Sequence, residues 1–333
     1  MRVLVTGAGG FLGRYVAEQL AARGDQVRGL ARGDYPELAA VGVEMVRGDI
    51  RDQAAVEAAC RDVDAVIHTA AVAGIWGPRE HFFSINTEGT RLVLEAAQHA
   101  GASAFVQCSS PSVTFDASAQ EDVDESAPYP SRWLCHYPHS KALAEQAALA
   151  ANRDGFRTCA LRPHLIWGPR DQHLIPRLLN RARAGQLKIV GDGRNLIDMV
   201  YVENAAAAHV QAMDCLLSGG AASGKVYFIS QGEPVVCWDW INEILSLADL
   251  PPLAKRISFS KAYAAGWVLE GLWTLLRRTD EPRMTRFLAA QLALPHFFDI
   301  SAARRDFGYS PAISTEVGME RLADWIRGGC CPN

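Results

Sequence analysis

The stretch that decides the fold is MRVLVTGAGGFLG, residues 1–13. Its apolar beginning predicts a β-strand, and its glycines predict a tight loop that opens a helix. Gly7 permits the turn, Gly10 lets the backbone approach a pyrophosphate, and Gly13 allows the helix to pack closely on the sheet. Unpaired N–H groups at the helix N-terminus can then bind phosphate oxygens. We therefore predict a dinucleotide-binding loop whose cofactor contacts are Gly7, Gly10, Phe11, Leu12 and Gly13.

Strand-like and helical runs alternate beyond this loop, as is typical of a parallel, doubly wound sheet. We predict an α/β fold in which residues 1–170 form a dinucleotide-binding Rossmann domain. The alternation then stops, but 225–230 again has the apolar pattern of a sheet strand. We therefore expect 195–232 to return to the first domain, and 171–194 with 233–330 to form a smaller C-terminal substrate-binding cap.

Composition and charge exclude several classes of partner. The chain has 49% hydrophobic and 21% charged residues and a net charge of −4, so it lacks the basic surface that binding of a nucleic acid requires. Its eight cysteines form no CxxC pair, and the sequence begins without a charged and apolar leader. His136 and His139 have no third ligand at a recognisable spacing, so we predict no metal site. We expect a protein of the reducing cytoplasm.

The segment Ala262–Leu276 is the most apolar of the chain. It is shorter than the roughly twenty residues that span a bilayer, and Glu270 interrupts it. We expect a core or pocket-lining helix. The alternative is a helix on a membrane surface, where Arg277 and Arg278 would meet anionic headgroups. A peripheral association with a membrane or with pathway enzymes is therefore left open.

The second predicted strand ends in Arg32, and this residue type indicates which nicotinamide cofactor to expect. Enzymes that use NAD usually carry Asp or Glu there to bind the ribose 2′-hydroxyl, whereas an arginine can hold the 2′-phosphate of NADP. Arg14 could reach the same phosphate. We predict NADP(H) over NAD(H); the alternative is that both arginines are solvated while Asp34 turns inward. Asp49 is expected at the adenine, with Ile50 beside it, unless Asp49 caps the next helix.

Tyr137 and Lys141 lie four residues apart in YPHSK, a spacing that places both on one face of a helix. Reduction of a carbonyl by hydride leaves an alkoxide that must be protonated. A phenol with a free pKa of about 10 serves poorly as acid or base unless a cation such as Lys141 stabilises its phenolate. Ser110 is predicted to bond the substrate oxygen, and Asn86 to relay protons through water to Lys141. The alternatives are loop capping for Ser110 and a polar contact inside a helix for Asn86.

Eight motifs occur in the order TGAGGFLG at 6–13, GDI at 48–50, TAA at 69–71, NTEGT at 86–90, SSPSV at 109–113, YPHSK at 137–141, RPHLIWGP at 162–169 and DGRNLIDMVYVENAA at 192–206. They resemble those of the extended short-chain dehydrogenase/reductases, over nearly the whole chain. The resemblance implies that Tyr137 is the proton donor and that Lys141 lowers its pKa. It also implies that Ser110 polarises the carbonyl and that Asn86 joins the proton relay.

The same resemblance extends to the cofactor contacts and to the oligomer. The cofactor contacts that it adds are Ala70, Ala71, Tyr137, Lys141 and Pro163. Members of the family often pair through the helices that correspond to 82–100 and 138–152, which implies a homodimer. HTAA at 68–71 departs from the family, because many relatives have Asn before the alanine pair. The departure leaves only the local cofactor geometry in doubt.

Further motifs indicate a branch of this family: RGDYPEL at 32–38, SPSVTF at 110–115, LRPHLIWGPRDQHLIPRL at 161–178, YFISQGEP at 227–234 and ARRDFGY at 303–309. They resemble the 3β-hydroxysteroid dehydrogenase branch, and within it the 2-alkyl-3-oxoalkanoate reductases of bacterial long-chain olefin biosynthesis. This implies reduction, with NADPH, of a hydrophobic long-chain 2-alkyl-3-oxoalkanoate to the 2-alkyl-3-hydroxyalkanoate. Arg162, His164 and Arg170 could hold the substrate carboxylate, unless each is paired structurally with Asp or Glu.

Three alternatives to this function are kept. The first is an NAD(P)-dependent 3β-hydroxysteroid or sterol-4α-carboxylate 3-dehydrogenase of the decarboxylating kind, whose substrate also joins a β-oxygen, a carboxylate and a bulky alkyl group. The second is a nucleotide-sugar epimerase or dehydratase, which the apolar segment Ala262–Leu276 disfavours. The third is a non-catalytic dinucleotide-sensing or scaffold protein, which the presence of both Tyr137 and Lys141 disfavours.

Overall fold

The computed structural model describes residues 1–329. The strands of this part of the chain are β1 (Arg2–Thr6), β2 (Gln26–Ala31), β3 (Glu44–Arg47), β4 (Ala65–His68), β5 (Ala104–Cys108), β6 (Gln120–Val123), β7 (Arg157–Pro163), β8 (Ile166–Trp167), β9 (Ile189–Val190), β10 (Leu196–Ile197), β11 (Val200–Tyr201), β12 (Val226–Ile229), β13 (Val235–Val236), β14 (Arg256–Ile257) and β15 (His296–Phe298).

The α-helices are α1 (Phe11–Ala22), α2 (Pro36–Ala40), α3 (Gln53–Cys60), α4 (Arg79–Phe82), α5 (Thr90–His99), α6 (His136–Ala150), α7 (Leu174–Arg183), α8 (Val202–Leu217), α9 (Cys237–Leu247), α10 (Phe259–Leu275), α11 (Arg286–Ala293), α12 (Ser301–Phe307) and α13 (Thr315–Arg327). A π-helical segment, Phe83–Gly89, joins α4 to α5, and a short 3-10 helix covers Pro111–Thr114. The single helix expected over 82–100 is therefore three successive pieces that begin at residue 79.

Seven parallel strands form the main sheet, in the order β12-β7-β5-β4-β1-β2-β3. All four residues of β4 are buried, because helices cover both faces of the sheet. On one face α1 packs against α8, and on the other α5 packs against α3 and α6. The predicted α/β, doubly wound fold is confirmed. The strand order reverses between β1 and β4, which opens a crevice at the carboxyl ends of the strands, where such sheets bind ligands.

A second, four-stranded sheet has the order β13-β10-β15-β6. Its strands come from distant parts of the sequence: β6 lies within 1–170, β10 within 195–232, and β13 and β15 within the C-terminal region. Strand β12 meanwhile lies beside β7 in the main sheet, with Val226 opposite Ala160. The division at residue 170 is thus not a clean spatial boundary, because β6 obtains its backbone partner from β15.

Helix α10, within the apolar segment, contacts the protein along one narrow stripe of Ala262, Gly266 and Glu270. A Cβ atom on Gly266 would lie 2.5 Å from the carbonyl carbon of Thr285, so the glycine permits close packing next to α11. Leu275 is 79% exposed. The helix is therefore not a core helix, because it is apolar all round and only this stripe is buried, although Phe259 and Tyr263 at its N-terminal end also pack against the core. No helix in residues 1–329 is long and apolar enough to cross a membrane.

The cysteines of the described part of the chain, residues 60, 108, 135, 159, 215 and 237, are all free thiols. Cys330 and Cys331 lie outside the described residues. Within residues 1–329, no group of three or more His, Cys, Asp or Glu side chains is arranged to hold a metal ion.

Candidate active site

A cavity of about 420 Å³ lies at the carboxyl ends of the central strands, in the crevice where the strand order reverses. The structure brings together in its walls ten of the predicted site residues: Gly7, Gly10, Phe11, Leu12, Gly13, Ala71, Ser110, Tyr137, Lys141 and Pro163. The other predicted residues lie outside these walls: Arg14, Arg32, Asp49, Ile50, Ala70 and Asn86. The phosphate loop and the proposed acid/base pair therefore face a common space.

The glycine loop fits a dinucleotide phosphate. Gly7 has a φ of +72°, and a Cβ atom there would lie 2.8 Å from Cα of Ala70. A Cβ atom on Gly13 would lie 2.2 Å from the carbonyl oxygen of Gly7. No side chain caps the N-terminus of α1 at Gly10, so its first N–H groups remain available to an anion. The loop residues and the helix end that follows them are thus suited to hold the pyrophosphate of a nicotinamide cofactor.

Arg32 lies exposed at the end of β2 and makes no ion pair within the described part of the chain. Arg14, in contrast, is paired with Glu18 at 3.1 Å and with Glu37 at 3.0 Å. Asp34 lies 3.7 Å from the guanidinium of Arg47 and does not turn toward the loop. Of the two predicted phosphate ligands, the geometry favours Arg32, because no carboxylate of the described residues lies within 4 Å of its guanidinium; Asp49, whose pKa its charge helps to lower, is already bonded to Arg51.

Asp49 accepts hydrogen bonds from the guanidinium of Arg51 at 3.0 and 2.7 Å, and these hold its pKa at about 2. Its alternative role as a helix cap is wrong. The cap of α3 is Asp52, whose carboxylate accepts from the backbone N–H of Ala54 at 3.0 Å. Ile50 is buried and packs against Gly89 of the π-helical segment.

Tyr35 is a residue that the sequence reasoning missed. A Cβ atom on Gly9 would lie 2.0 Å from Cζ of Tyr35, so the phenol ring covers the glycine loop at this point. The ring follows Arg32 by three residues and lies next to Gly33 as well. The tyrosine belongs to the RGDYPEL motif at 32–38, but the motif gave it no role, because its position over the loop depends on how α2 folds back.

Tyr137 and Lys141 lie on one face of α6, one turn apart. Lys141 is 3% exposed, and its ammonium donates to the carbonyl oxygen of Cys108 at the end of β5. Burial lowers the pKa of Lys141, against the opposing effects of Cys108 and Glu145. Burial raises the pKa of Tyr137 to about 12, and a hydrogen bond with Ser110 opposes this rise. A lowering of the phenol pKa by Lys141 stays a prediction.

Ser110 has two structural partners besides the phenol. Its Oγ accepts from the backbone N–H of Ser112 at 3.3 Å and lies 2.9 Å from Oγ of Ser112. It is thus the N-terminal cap of the 3-10 helix Pro111–Thr114, as the capping alternative expected. The cap fixes the hydroxyl in the cavity wall beside Tyr137, where it can also reach a substrate oxygen.

Asn86 is buried in the π-helical segment, and its side chain ties two elements together. Its Oδ1 accepts from the N–H of Val72 at 2.8 Å, and its Nδ2 donates to the carbonyl oxygen of Val72 at 3.0 Å. Nδ2 also donates to Oγ of Ser140, one residue before Lys141, at 3.0 Å. These contacts match the helix-interior alternative. The proton relay to Lys141 stays a prediction.

His68 begins the HTAA motif, 68–71, that departs from the family pattern, and in the structure it is a buried residue that links neighbouring elements. Its Nδ1 lies 2.6 Å from Oγ1 of Thr6, and its Nε2 lies 2.9 Å from Oγ1 of Thr90. Burial, helped by the charge of Lys141, lowers the pKa of His68 to about 3, so the ring is neutral. It joins β1 and β4 to α5 and leaves the cofactor side of the crevice to Thr69 and Ala71.

The three candidates for a substrate carboxylate have different surroundings. Arg162 is buried and paired with Glu145 through bonds of 3.0 and 2.6 Å, and Arg170 is paired with Glu18 at 2.7 and 2.8 Å. Structural pairing therefore accounts for both arginines. His164 has no carboxylate partner, and its ring packs edge-to-face against His296 with centroids 4.8 Å apart. Both histidines line the cavity, and His296 was not predicted.

A larger groove of about 1180 Å³ adjoins the cavity. Its lining combines eight large apolar residues with charged side chains that include Arg79, Arg132 and Arg286; the apolar ones are Ile75, Trp76, Phe82, Trp133, Leu134, Trp267, Val268 and Leu272. The two spaces are neighbours, since residues that are adjacent in sequence line one and the other. At the start of α6, His136 lines the groove and Tyr137 the cavity; in α11, Arg286 lines the groove and Phe287 the cavity. Helix α10 thus lines a pocket on one side, which agrees with the expectation of a pocket-lining helix.

The chain resembles proteins of known activity. It is 47% identical to the 2-alkyl-3-oxoalkanoate reductase of Shewanella oneidensis over 96% of this chain and 84% of that protein. It is also 47% identical to the reductase of the same name from Stenotrophomonas maltophilia, over 97% and 98%. The sterol-4-alpha-carboxylate 3-dehydrogenase, decarboxylating, of Mus musculus is 32% identical over 95% and 88%.

A solved structure of a dTDP-glucose 4,6-dehydratase from Streptomyces venezuelae, which contains NAD, superimposes with a TM-score of 0.75 at 24% identity, over 98% of this chain and 97% of that one. At this identity the likeness concerns the fold alone.

The fold, the glycine loop and the Tyr137–Lys141 pair define an NAD(P)-dependent oxidoreductase of the extended short-chain dehydrogenase/reductase type. Residues 4–260 match the 3-beta hydroxysteroid dehydrogenase/isomerase family. The chain belongs to that family.

Proposed function

We propose that the protein reduces a long-chain 2-alkyl-3-oxoalkanoate to the 2-alkyl-3-hydroxyalkanoate with NADPH, the reductive step of a long-chain olefin pathway. The observation that carries the proposal is the pair of adjoining spaces, a small cavity with Ser110, Tyr137 and Lys141 in its wall and a large apolar groove beside it. The cavity has room for the polar keto-acid end of the substrate. The groove suits two long alkyl chains, whose burial supplies binding free energy.

The residues of the cavity divide the work of carbonyl reduction. The hydroxyl of Ser110 bonds the keto oxygen, and the phenol of Tyr137 gives its proton to that oxygen as negative charge develops on it. Lys141, held by the Cys108 carbonyl, positions the nicotinamide ribose and replaces part of the charge that Tyr137 loses. NADPH, when bound, supplies the hydride. Asn86 holds the loop at Val72 against α6 and is proposed to join the proton relay.

The choice of NADP(H) over NAD(H) rests on Arg32. Its exposed guanidinium, with no carboxylate partner in the described part of the chain, is suited to grip a 2′-phosphate through two parallel hydrogen bonds. Arg14 would have to leave Glu18 and Glu37 to assist. The contacts at the adenine proposed for Asp49 and Ile50 are of secondary weight, because Arg51 already occupies both oxygens of Asp49.

A homodimer formed through the outer faces of α5 and α6, and a cytoplasmic location, are proposed on the family resemblance. The two helices pack against each other, so together they present one continuous surface to a second copy. Size-exclusion chromatography with light scattering tests the dimer. A mass of about twice 36.2 kDa supports it, and a mass equal to one chain contradicts it.

The activity is best tested in the oxidative direction, since 3-oxo acids lose CO2 spontaneously. Initial rates of nicotinamide absorbance are measured with NADP+ and NAD+, with a long-chain 2-alkyl-3-hydroxy acid and, separately, with a 4α-carboxy-3β-hydroxysterol. Turnover of the acyclic acid with NADP+ supports the proposal. Turnover of the sterol acid alone, above all with NAD+, overturns both the substrate and the cofactor. The sterol acid is the right competitor because the mouse relative acts on that class and the groove would hold a sterol equally well.

A further inference from the structure

Two buried histidines lie side by side in the cavity, outside the proposed catalytic residues. His164 follows β7 and is 7% exposed, and His296 begins β15 and is 2% exposed. Their ring centroids are 4.8 Å apart at an angle of 85°. Within residues 1–329 the Nδ1 atom of neither ring has a hydrogen-bond partner. Buried polar atoms are nearly always bonded, so two unpartnered ring nitrogens in one cavity wall point to a polar ligand.

The rings are held firmly by the cap. Nε2 of His296 donates to the carbonyl oxygen of Gln291 at 2.8 Å, which fixes the ring plane and leaves Nδ1 free. Phe298 packs edge-to-face on His164 at 5.3 Å and stacks on Phe228 at 4.2 Å. His296 also lies opposite Gln120 in the small sheet. The pair is therefore a preformed arrangement, built from two elements that the fold brings together.

The surroundings of the pair disfavour positive charge on either ring. Burial lowers the pKa of both histidines, and His296 further lowers that of His164; hydrogen bonds with backbone groups, of Asp198 for His164 and of Gln291 for His296, oppose this lowering. Asp198 is held by the same small sheet, its Oδ2 accepting from the N–H of Phe298 at 2.8 Å, and burial, assisted by Asp122, raises its pKa to about 6. A carboxylate that entered beside the rings would supply the missing negative charge. One ring could then take up a proton, and a small rotation of the rings toward the cavity would let the two Nδ1 atoms, which are covered in this structure, donate to it.

We propose that His164 and His296 form the subsite that binds the carboxylate of the 3-oxo acid, while Ser110 and Tyr137 hold its keto oxygen. The inference deepens the proposed function and rests on it. In a 2-alkyl-3-oxo acid a single carbon separates the carboxyl carbon from the keto carbon, so one cavity of about 420 Å³ can hold both groups. Two polar anchors in one cavity leave only one direction for the α-alkyl group and the main chain, toward the apolar groove.

The test compares two substrates that differ only in the carboxyl group. Values of kcat and KM are measured with NADP+ for a long-chain 2-alkyl-3-hydroxy acid and for the secondary alcohol that lacks the carboxyl, in the wild type, His164→Asn and His296→Asn. Each variant is expected to lower kcat/KM for the acid by about tenfold or more, mainly through KM, and to leave the alcohol within about twofold. Equal losses on both substrates, or no loss on the acid, would overturn the subsite.

His209→Asn is the matched control. His209 is fully buried in α8, its Nε2 also lacks a partner within residues 1–329, and it does not line the cavity. Removal of a buried imidazole there is expected to change the acid and the alcohol alike. A selective loss of the acid in His209→Asn would contradict the assignment, because any buried histidine would then have the same effect.

A binding measurement separates failure of the subsite from failure of the proposed function. Titration calorimetry with a long-chain 2-alkyl carboxylic acid that lacks the 3-oxygen requires no turnover. An affinity that falls about tenfold in His164→Asn and His296→Asn supports the subsite even if the hydroxy acid is not a substrate. Unchanged affinity in both variants overturns the subsite, whatever the wild type turns over.

Discussion

Burial acts in opposite directions on the pKa values of Tyr137 and Lys141, raising that of the phenol to about 12 and lowering that of the ammonium. The effect on charge is the same in both, since each group is pushed toward its neutral form. At neutral pH Tyr137 therefore carries the proton that a developing alkoxide needs. The opposite direction requires a phenolate, so this environment by itself favours reduction over oxidation.

Replacement of Tyr137 by Phe is expected to lower kcat for the hydroxy acid by about a hundredfold or more, because the group that exchanges a proton with the substrate oxygen is lost. Binding of NADPH, followed by fluorescence, should remain within about threefold. Tyr309→Phe is the control, since it removes another buried hydroxyl, one that donates to the Ser230 carbonyl at 2.9 Å outside the cavity. Wild-type kcat in Tyr137→Phe would remove this residue from the mechanism.

Arg32→Ala is expected to raise the KM for NADPH by about tenfold and to leave the KM for NADH unchanged, because only NADPH carries the 2′-phosphate. Steady-state kinetics with the two cofactors measure the ratio. Arg47→Ala is the matched control, for Arg47 is an exposed arginine at the end of the neighbouring strand β3, 3.7 Å from Asp34. If both KM values rise together in Arg32→Ala, the phosphate is bound elsewhere.

At the scale of the element, α10 combines features that rarely occur together in a surface helix. It is apolar on every side, yet only Ala262, Gly266 and Glu270 are buried. Glu270 accepts from the backbone N–H of Arg286 and pairs with its guanidinium at 2.6 Å, which fixes the helix on α11. The remaining apolar side chains are then divided between the groove and the outer surface. The helix is therefore a wall of the groove.

Leu272→Ser in α10 is expected to raise the KM for a long-chain 2-alkyl-3-hydroxy acid by about three- to tenfold, because Leu272 lines the groove and apolar contact with the alkyl chains is lost. A short-chain analogue should be unaffected, as it does not extend into the groove. Leu275→Ser is the control on the same helix, since Leu275 is 79% exposed and does not line the groove. Equal effects of Leu272→Ser on both chain lengths would place the chains elsewhere.

For the whole molecule, the parts that the sequence predicted are those with local signals. The main sheet follows from alternating strand and helix patterns, and Tyr137 and Lys141 from a spacing of four residues. The small sheet had no such signal, because β10 has two residues and β6 pairs with β15 across most of the chain, as Gln120 opposite His296 shows. His296 and Tyr35 were missed for the same reason. A residue placed by distant contacts leaves no periodic trace in its own segment.

The stability of the protein should depend on pH through Asp198, a buried carboxyl that follows strand β10 of the small sheet. Burial raises the pKa of Asp198 from 3.8 to about 6, so folding favours its protonated form. Its effect is absent below about pH 3, where the group is neutral in both states, and it destabilises the folded protein progressively as pH rises from about 4 to about 6. At pH 7 the difference amounts to roughly 3 kcal/mol, from about 1.4 kcal/mol per pKa unit.

Asp198→Asn should therefore be more stable than the wild type at pH 7 and equal to it at about pH 3, because the amide oxygen can still accept from the N–H of Phe298. Urea denaturation at several pH values measures the difference in the free energy of unfolding. Glu316→Gln is the control with the opposite sign, because hydrogen bonds with its own backbone and with Ser314 lower the pKa of that carboxyl, so this variant should not gain stability as pH rises. A wild type that gains stability over Asp198→Asn as pH rises would mean that the carboxylate is held charged by a partner.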